Sequence, residues 1–319
     1  MSKKPKVLLT NPIHPHFFAE LTQQCEVVVA PDTKPETFKA LIVDCDGLMV
    51  RSQLPPDIFD DAKQLKAVVR HGVGLDFIPV EAATKKKIAV ANLPGSNTNA
   101  VVEYCLAVIF HFRRRLNIID SMLRNTGWAS TRPLADDITE IQATTLGIIG
   151  VGAIGSALGK AASSLNMQVI ALTRRPENLS KEIRGVSKSD LFTQADVIAI
   201  CCPLNHQTRG LVDASAIALM KPSAILINVA RGPVVDTKAV IAALKAGKIT
   251  GAAMDVHDEH PLTGQEEVFN CPNLLLTPHL AAITATSMRG MSEGAVKTLL
   301  ALLRGEHPSN TVNPVVFTN

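Results

Sequence analysis

Aromatic side chains are scarce in this chain, at 4% of 319 residues with a single tryptophan, Trp128. Aliphatic residues must therefore fill the interior, which suits buried parallel strands covered on both faces by helices. Charge of one sign is nearly missing too, because the net charge is only +3. The densest basic run, Lys85-Lys86-Lys87, reads as the solvated end of a helix. Nucleic acid and membrane surfaces are poor main partners for such a chain. No apolar run approaches the ~18–20 residues of a membrane span. Met1–Lys6 is followed by too few apolar residues before Asn11-Pro12 for a secretory core segment. Cys25, Cys45, Cys105, Cys201, Cys202 and Cys271 show no C-x-x-C spacing and mostly sit in apolar runs, where thiols act as small hydrophobes, so no metal site is expected. A reducing cytoplasm is the expected location. What is abundant is apolar residue, 46% against 19% charged, over a length comfortable for two domains.

Short apolar runs alternate with helical patterns. Lys6–Thr10, Glu26–Ala30, Ala40–Val50, Leu65–Arg70 and Ile88–Leu93 read as strands, with helices expected over Pro55–Lys63 and Pro79–Lys86. A long helical pattern covers Asn99–Leu123, and a polar excursion, Arg124–Glu140, follows it. A second series of strands is expected at Thr145–Gly150, Gln168–Thr173, Asp196–Cys202, Ser223–Ala230, Gly251–Val256 and Asn273–Thr277. Asp236 is placed to cap a helix that Gly247 ends. Alternation of this kind implies an α/β fold of two doubly wound parallel-sheet domains. The last helix, Thr284–Arg304, has no strand to feed, so the expected arrangement is 1–98 with 286–319 as one discontinuous domain and 99–285 inserted as the other.

Gly150-Val151-Gly152-Ala153-Ile154-Gly155 is a G-x-G-x-x-G between a strand and a helix. Its glycines allow a tight turn, close approach of a pyrophosphate and close helix–strand packing, and the helix N-terminus favours phosphate. An NAD-selective site carries an acid at the end of the next strand. Here that place reads Thr173-Arg174-Arg175. Guanidinium groups suit a 2′-phosphate, so NADP is favoured and NAD is the alternative.

Three more segments put polar groups at strand ends: Asn228–Asp236 with Arg231, Gly251–Pro261 with Asp255, and Leu275–Leu280 with His279. Hydride transfer to a 2-oxo acid needs a cation for the carboxylate and carbonyl, and a proton donor for the developing alkoxide. Arg231 fits the first need and His279 the second.

Together these segments resemble the D-isomer-specific 2-hydroxyacid dehydrogenases over nearly the whole chain. The resemblance includes Arg70-His71-Gly72-Val73-Gly74-Leu75-Asp76, Asn97-Thr98 with Glu103, and Cys202-Pro203-Leu204 with Thr208. It implies a Rossmann nucleotide-binding domain inserted into a flavodoxin-like substrate (catalytic) domain, in a homodimer; an Asn99–Leu123 helix more apolar than one covered face requires and the arm-like Arg124–Glu140 excursion point the same way. It also implies that the Val73 and Gly74 amides hold the substrate carboxylate. Arg231 would bind carboxylate and carbonyl, and His279 would be the acid/base. Thr98, Cys202, Pro203, Thr208, Ala230 and Asp255 would line the dinucleotide, with Asp255 facing the nicotinamide amide. Arg51-Ser52 resembles a segment that phosphoglycerate dehydrogenases use near a distal phosphate, so Arg51 is a candidate for a second anionic group.

One departure stands out. The family usually has Glu-Pro where this chain has His260-Pro261, with Glu259 one position earlier. That glutamate pairs with the catalytic histidine, and an imidazole in its place supports protonation less well. Either Glu259 turns inward or His260 takes a modified role. The departure leaves two alternatives to a reductase: a dinucleotide-sensing binding protein on the same scaffold, which the retained Arg231 and His279 disfavour, and a formate-type dehydrogenase, which the absent N-terminal extension disfavours.

Overall fold

The computed structural model describes residues 3–259 and 261–318. The chain forms two compact units, Met1–Asn97 with Ile283–Asn319, and Thr98–Ala282.

The first unit contains β1 (Lys6–Leu9), α1 (Pro15–Gln24), β2 (Glu26–Val29), α2 (Pro35–Ile42), β3 (Gly47–Val50), β4 (Ala67–Arg70), α3 (Val80–Lys85) and β5 (Ala89–Ala91). Its five strands pair in parallel in the order β2-β1-β3-β4-β5. One sheet face packs on α1 and on the unit's final helix, through Phe17, Leu21, Val296 and Leu299. The other packs on α2, α3 and the turns between β3 and β4, through Phe38, Ile42, Ile58 and Phe59.

The second unit contains α4 (Thr98–Arg114), α5 (Leu116–Thr126), α6 (Trp128–Thr131), β6 (Thr145–Ile149), α7 (Ala153–Ser164), β7 (Gln168–Leu172), β8 (Ile183–Gly185), α8 (Lys188–Gln194), β9 (Val197–Ile200), α9 (Ala214–Ala218), β10 (Ile225–Asn228), α10 (Thr237–Lys245), β11 (Gly251–Met254) and β12 (Leu274–Leu276). The chain then returns to the first unit as α11 (Ala285–Leu303), which packs on β3 and β4. The seven strands run β8-β7-β6-β9-β10-β11-β12, all parallel. Every residue of β9, β10 and β11 is buried, as strands covered on both faces must be. The order reverses between β6 and β9, and ligands of open α/β sheets bind outside the strand carboxyl ends at such a point.

Several elements depart from the sequence reading. Ala40–Ile42 is the last turn of α2 rather than strand, because Pro35 starts the helix and Phe38 and Ile42 line one buried face. Pro55–Lys63 forms successive turns, with Ile58 N–H donating to the Pro55 carbonyl and Asp60 N–H to that of Asp57. Two prolines and three aspartates favour turns over helix there. The long Asn99–Leu123 helix breaks at Arg115, whose φ is +48°. Its fully buried positions end at Ile109, partly buried Phe112 still packs on the core, and no residue beyond Arg115 in α5 is buried, so nothing holds that later part straight. The edge strand β8 was not foreseen: only Ile183 of its three residues is buried, leaving almost no periodic signal.

Candidate active site

The turn after β6 enters α7 at Gly152, which precedes the helix with no side-chain cap. A Cβ at Gly155 would lie 2.3 Å from the Gly150 carbonyl oxygen, so helix and turn can pack only around glycine there. A Cβ at Gly152 would meet nothing within 4 Å. Protein packing therefore does not demand glycine at 152, whereas close approach of a pyrophosphate does. Ala153 and Ile154 open the helix, whose first N–H groups are the donors a phosphate uses. Thr98 adds a second indication, since its Oγ1 is buried with no hydrogen-bond partner among the described residues. The donor set fits a dinucleotide.

The neighbouring loops complete this edge. Thr173, Arg174 and Arg175 follow β7, both arginines are exposed, and Arg174 Nη1 reaches Gln207 Oε1 at 3.5 Å. Gln207 belongs to the loop after β9, which starts with Cys202 and Pro203. Thr208 closes that loop, donating to the Pro203 carbonyl at 2.7 Å and accepting from Asn205 N–H at 2.8 Å. Burial pushes the Cys201 and Cys202 thiols up to about 12 and about 11, so neither is a nucleophile at neutral pH.

Arg231 follows β10 on a loop shaped by Asn228, which is fully buried. The Asn228 side chain accepts from Ala230 N–H at 3.1 Å and donates to the Arg231 carbonyl at 3.1 Å. Arg231 is half-buried, with Nη1 2.6 Å from the Ala230 carbonyl oxygen. A Cβ at Gly232 would fall 2.1 Å from the carbonyl carbon of His257, so the loops after β10 and β11 touch backbone to backbone.

His279 follows β12 at φ +54°, a left-handed conformation that a non-glycine residue keeps only under restraint. The restraint is Asp255, 1% exposed. Its carboxylate accepts from Thr277 Oγ1 at 2.7 Å, Leu280 N–H at 2.8 Å and Ala281 N–H at 2.9 Å, while its carbonyl accepts from His279 N–H at 2.8 Å. The Asp255 carboxylate thus grips the loop of His279, and the three bonds it accepts leave about one of its lone-pair sites for a further donor. Tyr104 donates to Thr277 Oγ1 at 2.7 Å, and burial pushes its hydroxyl up to about 12. His257 Nε2 donates to the Thr277 carbonyl at 3.0 Å. Asn228, Tyr104, His257 and Thr277 were missed as site residues in the sequence. Their one signal was polarity inside otherwise apolar elements.

Glu259 is exposed, with no hydrogen bond or ion pair among the described residues. His260 lies outside the described residues. A cavity of about 290 Å³ lined by His111, Phe112, Ile118, Thr250 and Asn273 lies at the amino ends of β11 and β12, away from the strand ends where the chemistry collects.

In the first unit, the loop His71–Gly74 follows β4. Arg51 is half-buried, donates to the Pro12 carbonyl and pairs with no carboxylate among the described residues. Burial lowers its pKa. Burial and the nearby Arg51 charge also lower His71 to about 4, so this imidazole is neutral, 2.9 Å from Ser292 Oγ.

A dinucleotide fingerprint on a seven-stranded sheet of this order, with arginine and histidine at strand ends two places apart, defines a nicotinamide-dependent oxidoreductase. Residues 106–281 match the D-isomer specific 2-hydroxyacid dehydrogenase, NAD binding domain family. The chain is 35% identical to the glyoxylate reductase of Thermococcus gammatolerans, covering 98% of this chain and 97% of that one. It is likewise 35% identical to that of Thermococcus litoralis, covering 99% of each. Among solved structures, the NADPH-dependent glyoxylate/hydroxypyruvate reductase of Sinorhizobium meliloti in complex with NADP and malonate superposes with a TM-score of 0.87 at 26% identity, over 99% of each chain. A Thermus thermophilus protein gives 0.88 at 32% identity, over 96% of this chain and 99% of that one. The chain belongs to the D-isomer specific 2-hydroxyacid dehydrogenase family. It is an enzyme that interconverts a 2-oxo acid and a 2-hydroxy acid with a nicotinamide dinucleotide. Among the described residues, no helix is long and apolar enough to cross a membrane.

Proposed function

We propose that the chain reduces small 2-oxo acids of the glyoxylate and hydroxypyruvate class with NADPH, as a homodimer in the cytoplasm. The observation that carries this reading is the left-handed His279, gripped by the buried Asp255 while Arg231 stands two strands away on a loop fixed by Asn228. The reductases of Thermococcus and Sinorhizobium support the substrate class by their names.

The Thr98–Ala282 unit takes the dinucleotide, at Gly150, Gly152, Ala153, Ile154 and Gly155, with Thr98, Thr173, Arg174, Arg175, Cys202, Pro203, Thr208, Ala230 and Asp255 around it. When bound, the dinucleotide supplies the hydride that reduces the 2-oxo carbon. Arg231 binds the carboxylate and polarises the carbonyl. His279 gives its proton to the carbonyl oxygen, and in the reverse direction takes it back. The first unit takes the substrate, with the Val73 and Gly74 amides on its carboxylate and Arg51 facing any second anionic group.

Preference for NADPH is supported by two arginines where an acid would favour NADH. The homodimer is supported by α5, which has no buried residue although Leu116 is 65% and Ile118 48% exposed. An 11-residue helix without tertiary cover is marginal in water, so a second copy is assigned to cover it. The cytoplasm is supported by six cysteines that are all free thiols.

The test is oxidation of NADPH and NADH against glyoxylate, hydroxypyruvate and pyruvate. The reading expects higher kcat/KM with NADPH, and a narrowed gap in Arg174→Ala/Arg175→Ala. Equal or better use of NADH removes the cofactor preference, and no turnover of any of the three acids removes the substrate class.

A further inference from the structure

Backbone polar groups of the loop after β4 divide unequally. The carbonyl of His71 accepts from Arg70 Nη1 at 3.1 Å, and that of Gly72 from Leu93 N–H at 2.9 Å. The carbonyl of Val73 accepts from Asn92 Nδ2 at 2.7 Å, and that of Gly74 from Arg70 Nε at 3.1 Å. All four oxygens are therefore drawn into the protein. The N–H groups of His71 and Gly72 are also used, by the Val50 and Arg70 carbonyls. Those of Val73 and Gly74 have no partner among the described residues. These two successive amides share their peptide planes with the Gly72 and Val73 carbonyls, which are turned in, so the N–H groups point the other way and form a concavity suited to an anion.

One side chain dominates this arrangement. Arg70 ends β4 and curls back under its own loop. It holds the Val50 carbonyl at 2.8 Å as well as those of His71 and Gly74, and lies 4.7 Å from the Phe77 ring centre. Its planar fork serves oxygens on both sides of Gly72, whose φ is +145°. A Cβ on Gly72 would sit 3.6 Å from the Arg70 guanidinium carbon. Loop and side chain thus fit against each other, and a lysine's single nitrogen could not replace two fixed donors.

We propose that Arg70 is a positioning residue for substrate carboxylate: it never meets the substrate, but fixes the two peptide planes that flank those of the Val73 and Gly74 amides, and so holds the pair between them in place. This rests on the reading that those amides receive a 2-oxo acid. It predicts that charge alone is insufficient, so Arg70→Lys behaves as a loss.

Two measurements on the full chain test it. In steady-state reduction of glyoxylate, Arg70→Lys should raise KM about tenfold or more, with kcat changed far less and the dissociation constant for NADPH unchanged. In protein labelled with 15N at valine and glycine, oxalate should shift the Val73 and Gly74 amide resonances, and at least tenfold more oxalate should be needed in Arg70→Lys. Phe77→Leu removes only the ring beneath the guanidinium and should move both readouts the same way by a smaller factor. Arg70→Lys matching the unmodified protein in KM and in oxalate titration overturns the proposal. If glyoxylate is not reduced at all yet oxalate shifts these amides in an Arg70-dependent way, the substrate class fails and the Arg70 assignment stands.

Discussion

The loop after β4 and the loop after β12 solve opposite problems with opposite charges. In the first, a cation gathers backbone oxygens on both sides while Asn92 and the Leu93 amide hold those between, leaving amides outward as donors. In the second, an anion gathers backbone amides, and the His279 side chain is the group presented. The two histidines differ accordingly. His71 is 3% exposed, bonded to Ser292 and held neutral, a structural member of its loop. His279 is half-buried, at a left-handed φ that the clamp around it maintains. A histidine after a strand is therefore no guide to function by itself. What separates the two is that the His71 ring is itself buried and bonded, whereas at His279 it is the backbone that is clamped and the residue stays half-buried.

The sharpest way to break the comparison is to remove each ring. His279→Ala should lower kcat for 2-oxo acid reduction by about 10²–10⁴, the usual contribution of a general acid, with the melting temperature nearly unchanged. Near-normal turnover would cancel the distinction. His71→Asn should instead act on stability. The folded-state pKa of His71 is about 4 against an ordinary 6.5, so between these values only the unfolded chain takes the proton. Stability supported by the neutral ring is complete above pH about 6.5 and is lost as pH falls to about 4, by about 3 kcal/mol in all. Urea unfolding at pH 7 and pH 4.5 should show that loss in the unmodified protein and a smaller one in His71→Asn; identical pH dependence in both would refute the assignment.

Smaller effects sharpen it. Asp255→Asn keeps the shape of the clamp but turns an amide donor toward one of the loop N–H groups. Stability should fall by about 2 kcal/mol, and kcat should fall by more than KM rises. A catalytically silent Asp255→Asn would mean that His279 keeps its position without the clamp. The turn after β6 serves as a control, since a helix terminus, not a charged strap, presents its donors. Gly152→Ala should leave stability unchanged yet weaken NADPH binding about tenfold, whereas Gly155→Ala should destabilise the fold by about 1–3 kcal/mol through its clash with the Gly150 carbonyl. Equal stability of the two variants, by thermal melting, would dismiss that steric distinction.

Central strand positions of both sheets, unlike the edge strand β8, were legible because central parallel strands are nearly uninterrupted aliphatic runs, as in Ile225–Asn228 and Val197–Ile200. The cap on α10 was legible too: Asp236 accepts from Ala239 N–H at 3.0 Å, as its place before an apolar helical pattern suggested. The bend at Arg115 was hidden, because α4 and α5 are both helix formers and only the loss of a core to face separates them. For the site, motifs at strand ends pointed to residues proposed to carry chemistry on their own side chains, such as Arg231 and His279. It could not expose Asn228, Tyr104, His257 or the carbonyl-gathering role of Arg70. Those act by holding backbone or hydroxyl groups of their own or a neighbouring loop, and no periodicity or motif records such contacts.

Proton transfer by His279 is the step on which the account turns, and the pH dependence of both reaction directions reports it most directly. Reduction should be level at low pH and fall about tenfold per pH unit above a single ionisation, because the ring must carry a proton when hydride arrives. Oxidation of the matching 2-hydroxy acid should rise through the same ionisation, and the residual activity of His279→Ala should show neither limb. Coincident, mirror-image profiles that vanish with the ring are the predicted result. Profiles in the unmodified protein that stay flat from pH 5 to pH 9, or that survive His279→Ala, would contradict it.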